Sequence, residues 1–205
     1  MIKRILLILY NIVFRRGYNT FYWKKRFKEF GCNSRISYPA LLQNTQFIEI
    51  GHNTTILSNA RIQNFYPKEG ETILKIGSGC FIGFNTSLLN ASRIEIGDNV
   101  LFASNVLITS ENHGMDPESD TPYMDQTLSS KPVKIEDGCW IGEKVCIMPG
   151  VTIGSKSIIG AGSIVTKSIP PYCIAVGNPA KVIKKYNFTV SYTHLRAHET
   201  LRHLV

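Results

Sequence analysis

The sequence predicts a mainly β protein, a coil of short parallel strands that turns at regular corners. In "IGEKVCIMPGVTIGSKSIIGAGSIV", residues 141–165, Ile141, Ile147, Ile153, Ile159 and Val165 recur every six residues. A helix repeating near 3.6 residues would scatter positions six apart over three directions, so no buried stripe forms. A flat strand fails too, because Glu143, Pro149, Ser155 and Ala161 stand where a second buried residue is needed. The same step returns in Ile50-Ile56-Ile62, Ile76-Ile82-Leu88-Ile94 and Ile96-Phe102-Ile108, and the fourth run extends from Ile135 to Val165. Each hexad is therefore one strand and one turn. Three hexads, bent through about 120° each, close a triangular coil of about eighteen residues with the isoleucines inside.

The elements follow in chain order. Residues 1–35 hold nine Lys or Arg against Glu29 alone, which accounts for the whole net charge of +8. The apolar run "ILLILYNIVF" would extend about 15 Å as a helix against roughly 30 Å of bilayer core, too short to span. No small-residue cleavage site follows it. Phe21, Tyr22, Trp23 and Phe27 among four cations suit a helix lying in an anionic membrane interface; equally, such helices could pack on the domain or a neighbouring subunit. No nucleic-acid-binding motif accompanies the basic residues. Residues 36–186 are read as the coil, broken by a long loop at 114–131, with a short basic helix closing it. Residues 187–205 are read as a tail outside the native fold, and its His194, His198 and His203 are not read as a metal site. Five cysteines without a C-x-x-C pair suggest free thiols in a reducing cytoplasm.

The stretches "IEIGDNVLFASNVLITSENHG" and "CWIGEKVCIMPGVTIGSKSIIGAGSIVTKSIPPYCIAVGNPAKVIKK" resemble the hexapeptide-repeat acyltransferases, specifically the branch of galactoside, maltose and surface-polysaccharide O-acetyltransferases. The resemblance covers about residues 48–186. It implies a left-handed parallel β-helix, a homotrimer with sites between subunits, and acetyl-coenzyme A as acyl donor with no metal required. His52 and His113 alone fall short of the three-histidine zinc site of the carbonic anhydrases that share the fold.

His113 stands at the end of a coil and at the start of the longest break in the repeat, where a rigid scaffold presents a titratable group to a loop. Imidazole supplies a base suited to acyl transfer near neutral pH, and the family's "NH" motif implies that His113 is that base. Glu111 or Asn112 could orient it. Trp140 should face outward, and the resemblance places it beside donor and acceptor, with subunit packing as the alternative. Asn85 is a candidate acceptor contact. The galactoside enzymes have asparagine where Gly83 stands and aspartate where Ala91 stands, so their acceptor pocket is not reproduced. Ala161, Thr166 and Lys167 correspond to coenzyme-A contacts, and Lys181 and Lys184 to phosphate contacts, with a solvated helix face as the alternative for the lysines.

The expectation is an acetyl-coenzyme-A-dependent O-acetyltransferase acting on a sugar or lipid-linked glycan in surface-polysaccharide synthesis. It would be cytoplasmic and peripheral to the inner membrane face through residues 1–30. The alternatives are a small acceptor such as a free sugar, serine or an antibiotic, and a non-catalytic binding module.

Overall fold

In the computed structural model, which describes residues 23–187, the six-residue step becomes three flat faces of a prism. Face A stacks Glu29–Phe30, Ile48–Ile50, Leu74–Ile76, Ile94–Ile96, Val133–Ile135 and Thr152–Ile153. Face B stacks Arg35–Ile36, Thr55–Ile56, Phe81–Ile82, Leu101–Phe102, Trp140–Ile141, Ile158–Ile159, Cys173–Val176 and Lys181–Lys185. Face C stacks Ala40–Leu42, Ala60–Asn64, Ser87–Asn90, Leu107–Thr109, Cys146–Ile147 and Ile164–Val165. Within each face the coil strands pair in parallel, each with the strand one circuit on.

The core is the set of inward columns. Ile50, Ile76, Ile96, Ile135 and Ile153 line up on face A, and Ile56, Ile82, Phe102, Ile141 and Ile159 on face B. All are essentially inaccessible to solvent. Each such side chain contributes about 1.5–3 kcal/mol on burial, so the prism is held by repetition, not by one central cluster.

The corners explain the small residues. Seven asparagines, among them Asn53, Asn85, Asn99 and Asn105, turn corners with positive φ, a conformation that asparagine tolerates better than most side chains. At Gly83 a Cβ would run into the Ala103 carbonyl one coil on. The backbone approach itself requires the glycine that sets this chain apart from the galactoside pattern.

Three expectations change. The circuit is not uniformly eighteen residues: Trp140 pairs with Ile158, but Glu29 pairs with Glu49 and Lys75 with Glu95, twenty residues apart. The longer coils extend face C and carry the buried Asn64, Asn90 and Ser110 inward at the corner between faces C and A. The expected C-terminal helix is a strand, Lys181–Lys185, antiparallel to Cys173–Val176. It closes the open edge of face B, where a helix would leave backbone groups unpaired. Finally, face A begins at Glu29–Phe30, inside the segment read as helical. Phe30 occupies the place of an isoleucine and packs on Phe27, which packs in turn on Trp23. The expected N-terminal helices at 1–22 and the tail from 188 lie outside the described residues.

Candidate active site

The base of the long loop is built from three successive levels of one corner. Phe65 N–H donates to Asn90 O at 2.7 Å. One level on, the Ser110 hydroxyl accepts the N–H groups of Ala91 and Ser92, at 3.0 and 2.9 Å, and donates to Ser92 O at 2.8 Å. Ser110 is fully buried, so these bonds, made away from water, fix the corner on which the loop stands.

From that corner Glu111–Asn112 pairs antiparallel with Ser129–Ser130, and His113 follows at once. The pairing clamps both ends of the excursion, and Lys131 N–H returns to Ser110 O at 2.9 Å. Within the loop, the Gln126 side chain accepts from Asp116 N–H at 3.0 Å and donates to Asp116 O and Thr121 O at 3.0 and 2.9 Å. The loop is thus organised around one amide, a role that composition gave no means of seeing. Met115, Tyr123 and Met124 remain exposed on it.

Glu111 and His113 stand two residues apart on an extended segment, the spacing that sends side chains to one side. Burial raises the Glu111 carboxyl above its ordinary value, while the charge of His113 pulls it down. Among the described residues no hydrogen bond reaches that carboxylate, and the imidazole is the group that opposes the larger effect of burial. Of the two candidate orienting groups, Glu111 is the one electrostatically coupled to His113.

The other expected residues are distributed. Trp140 is half-exposed on the outer side of face B, stacked between Leu101 and Ile158. A prism's face lies opposite the corner formed by the other two, so within one chain Trp140 lies on a different side from His113. Asn85 sits at the corner between faces B and C with φ 57° and donates to Asn105 Oδ1 at 3.1 Å. Asn105 donates on to Glu143 at 3.2 Å. This gives Asn85 a corner-turning role that needs no acceptor.

Ala161 is exposed at the same corner three coils on; Thr166 and Lys167 are exposed just past the last strand of face C. Lys181 pairs with Val176 and Lys184 with Ile174 across a bulge. On a regular strand, residues three apart would point to opposite sides; the bulge puts both lysines on the outer side of face B. The column Trp140, Ile158, Ile174, Lys184 therefore runs from an indole to an ammonium over three strand spacings, about 14 Å.

Thiol chemistry has little support here. Cys80, Cys139 and Cys173 are buried; burial pushes the Cys80 thiol up and the Cys139 thiol up to about 11. Each of the first two thiols donates to a backbone carbonyl, Gly97 O and Gly154 O respectively. His52 serves a corner: its Nδ1 accepts Cys32 N–H at 2.9 Å.

A three-faced parallel coil on six-residue steps is a parallel β-helix, here with a histidine at the base of a clamped loop. The pattern of the bacterial transferase hexapeptide (six repeats) matches residues 132–167, and that of the hexapeptide repeat of succinyl-transferase matches residues 73–110. Galactoside O-acetyltransferase of Escherichia coli is 37% identical over 152 residues, 74% of this chain and 73% of that one. WbbJ of the same organism, named for O-acetyl transfer in lipopolysaccharide biosynthesis, is 34% identical over 158 residues, 74% of this chain and 79% of its own length. The chain spans about half, 51%, of a Schizosaccharomyces pombe acetyltransferase to which it is 42% identical. A variant of AntD, an N-acyltransferase from Bacillus cereus in complex with dTDP-4-amino-4,6-dideoxyglucose and coenzyme A, superposes with a TM-score of 0.73 at 25% identity, over 85% of this chain and 92% of that one. The chain belongs to the hexapeptide-repeat transferase family.

Proposed function

We propose that the protein is an acetyl-coenzyme-A-dependent O-acetyltransferase that modifies a sugar hydroxyl in surface-polysaccharide synthesis. The observation that carries the reading is the pairing of a loop-base imidazole, backed by Glu111, with an apolar column on face B that ends in Lys184 and is flanked by Lys181. An apolar column suits a pantetheine arm, and ammonium groups at its end suit phosphates. Ala161, Thr166 and Lys167, exposed around the last coil, are assigned to the same donor.

His113 takes the proton of the acceptor hydroxyl as the oxygen attacks the thioester carbonyl. The carbon–sulfur bond breaks, and the leaving thiolate takes the proton back from the imidazolium. Glu111 stabilises that transient cation and holds the ring. The reading requires face B of one copy to meet the C–A corner of another, because a single prism keeps them apart. Three prisms packed face to corner around a threefold axis, left-handed as in the family, satisfy this and cover Phe81, Leu101 and Trp140. Asn85 remains an acceptor contact only if a neighbouring copy brings acceptor to its corner.

WbbJ and the sugar nucleotide bound by AntD support a glycan acceptor. The basic, apolar segment ahead of the first coil supports contact with an anionic membrane, where lipid-linked glycans would lie; no helix among the described residues is long and apolar enough to cross one. The test is thiol release from acetyl-coenzyme A with a panel of sugars, serine and aminoglycosides. Acetylation of sugars sustains the reading, transfer to a small non-sugar acceptor replaces it, and the lack of any transfer returns the chain to a binding module. Removal of residues 1–22, which spares Phe27 and Phe30, should abolish sedimentation with phosphatidylglycerol vesicles and leave transfer to a soluble sugar intact.

A further inference from the structure

Two loops leave the same corner of the prism, the one between faces C and A. Besides the loop at 113–128, residues 65–73 bulge out between Ala60–Asn64 and Leu74–Ile76. Between them lies the tight turn Ala91–Ser92–Arg93, one level above Phe65 and one level below Ser110. The two loops leave the corner on either side of that turn as two rims, and His113 opens the second of them.

Tyr66 belongs to the other rim and is unusual in two ways. Its φ is 54°, and of the eleven non-glycine residues with positive φ among the described residues, seven are asparagine and two, Tyr66 and Tyr172, are aromatic; a bulky residue in that region is a conformational outlier. Its side chain is 77% exposed, so no packing within the chain explains the strain. Strain of this kind persists where the surroundings hold it and marks functional positions. The loop is anchored at both ends: Phe65 N–H donates to Asn90 O at 2.7 Å, and Lys28, paired with Glu49 at 3.2 Å, donates to Gly70 O at 3.3 Å and to Thr72 Oγ1 at 2.5 Å.

We infer that the space between the two loops is an extended acceptor site, with Tyr66 as a stacking platform for a sugar ring beyond the one acetylated at His113. Two levels separate Tyr66 from the base of His113, about 10 Å, which accommodates a chain of two to three sugar units. The apolar face of a pyranose packs on an aromatic ring while its hydroxyls stay in water. Ala91, in the turn between the loops, offers no polar side chain to hold a single sugar. The preferred acceptor is therefore an oligosaccharide or the end of a glycan chain, not a free monosaccharide. This rests on the reading of His113 as the base for O-acetyl transfer.

The experiment compares gluco-, galacto- and rhamno-oligosaccharides of one, two and three units as acceptors in the full chain. In the series that is acetylated, kcat/KM should rise with the second or third ring, and Tyr66→Asn should remove that gain, on the order of tenfold, while leaving the monosaccharide rate and the KM for acetyl-coenzyme A unchanged. Asparagine accepts the same φ, so the backbone is kept, and Tyr66→Phe should retain the gain. No preference for longer acceptors, or a preference that survives Tyr66→Asn, overturns the inference while acetyl transfer stands. Dissociation of the wild-type assembly by Tyr66→Asn would assign the ring to a subunit contact and also overturn it. No transfer to any sugar overturns the proposed function and this inference with it.

Discussion

Faces A and B are built from the same hexads and bury matching inward columns, yet over the middle coils their outer surfaces differ. Face A presents Glu49, Lys75, Glu95, Lys134 and Thr152 in register, a ladder in which charge alternates from one coil to the next. Cross-strand neighbours of opposite charge contribute roughly 0.2–1 kcal/mol each, and the ion pairs Lys28–Glu49, Arg93–Glu95 and Lys134–Glu136 sit on this side. Face B presents Phe81, Leu101, Trp140, Ile158 and Ile174 at the equivalent positions. The inward residue of each hexad is dictated by the core, whereas the outward residue beside it is free. Face A fills those positions with charge, and face B with exposed apolar side chains.

The comparison breaks most sharply at the corner that face B meets in the proposed assembly. His113→Ala should lower turnover by roughly 10²- to 10⁴-fold, the usual yield of a general base, with assembly and donor binding intact. His113→Asn should be equally inactive. Thiol release from acetyl-coenzyme A measures it, and retention of more than about a tenth of wild-type turnover by either variant removes His113 from the base role.

The next largest effect separates the two faces directly. Leu101→Lys places like charges around the proposed threefold contact, at a cost on the order of a few kcal/mol, and should shift the particle from three chains towards one in light scattering. Lys134→Leu, the corresponding outward change on face A, should leave the mass unchanged. Equal behaviour of the two variants would mean that face B is not the assembly surface.

Smaller again is the donor effect. Lys181→Ala with Lys184→Ala should raise the KM for acetyl-coenzyme A several-fold, about what two exposed charge contacts supply, and leave kcat and the acceptor KM nearly unchanged. Phosphate contacts are made equally in ground and transition states, so their loss appears in binding. A fall in kcat instead would place these lysines nearer the chemistry than the end of the face B column.

Much of this was legible because the repeat is one-dimensional: a residue's place in the hexad states its depth in the prism. Ile141, Ile147 and Ile153 announced the core, and Trp140, one place earlier, announced an outward side chain. The start of the coil was misread although Phe30, Ile36, Leu42 and Ile48 keep the same step of six, because an aromatic residue opens it in a basic, apolar context that also suits a helix. Lys181 and Lys184 were read at helical spacing, and only a bulge, invisible in sequence, gives a strand the same result. Gln126, Ser110 and Tyr66 carried no signal. Their roles come from what the corner and its loops bring beside them, and no spacing rule reports that.

The smallest effect tests whether the corner trades stability for chemistry. Burial raises the Glu111 carboxyl above its ordinary value of 4.5, and His113 opposes that shift. A carboxyl raised in the folded state holds its proton more tightly there than in the unfolded chain. Its contribution to stability is therefore full below pH 4.5 and is lost as pH rises through the folded value. At neutral pH the ionised Glu111 is a cost that the fold carries. Glu111→Gln removes the charge and should raise the thermal midpoint slightly at pH 7, with the difference vanishing in acid. The same variant should lose turnover, though less than the His113 variants, because the imidazolium then forms without its facing carboxylate. A stability gain with full activity would make Glu111 a burial defect and no partner of His113, while a loss of stability at neutral pH would show the carboxylate held by a bond that outweighs its desolvation.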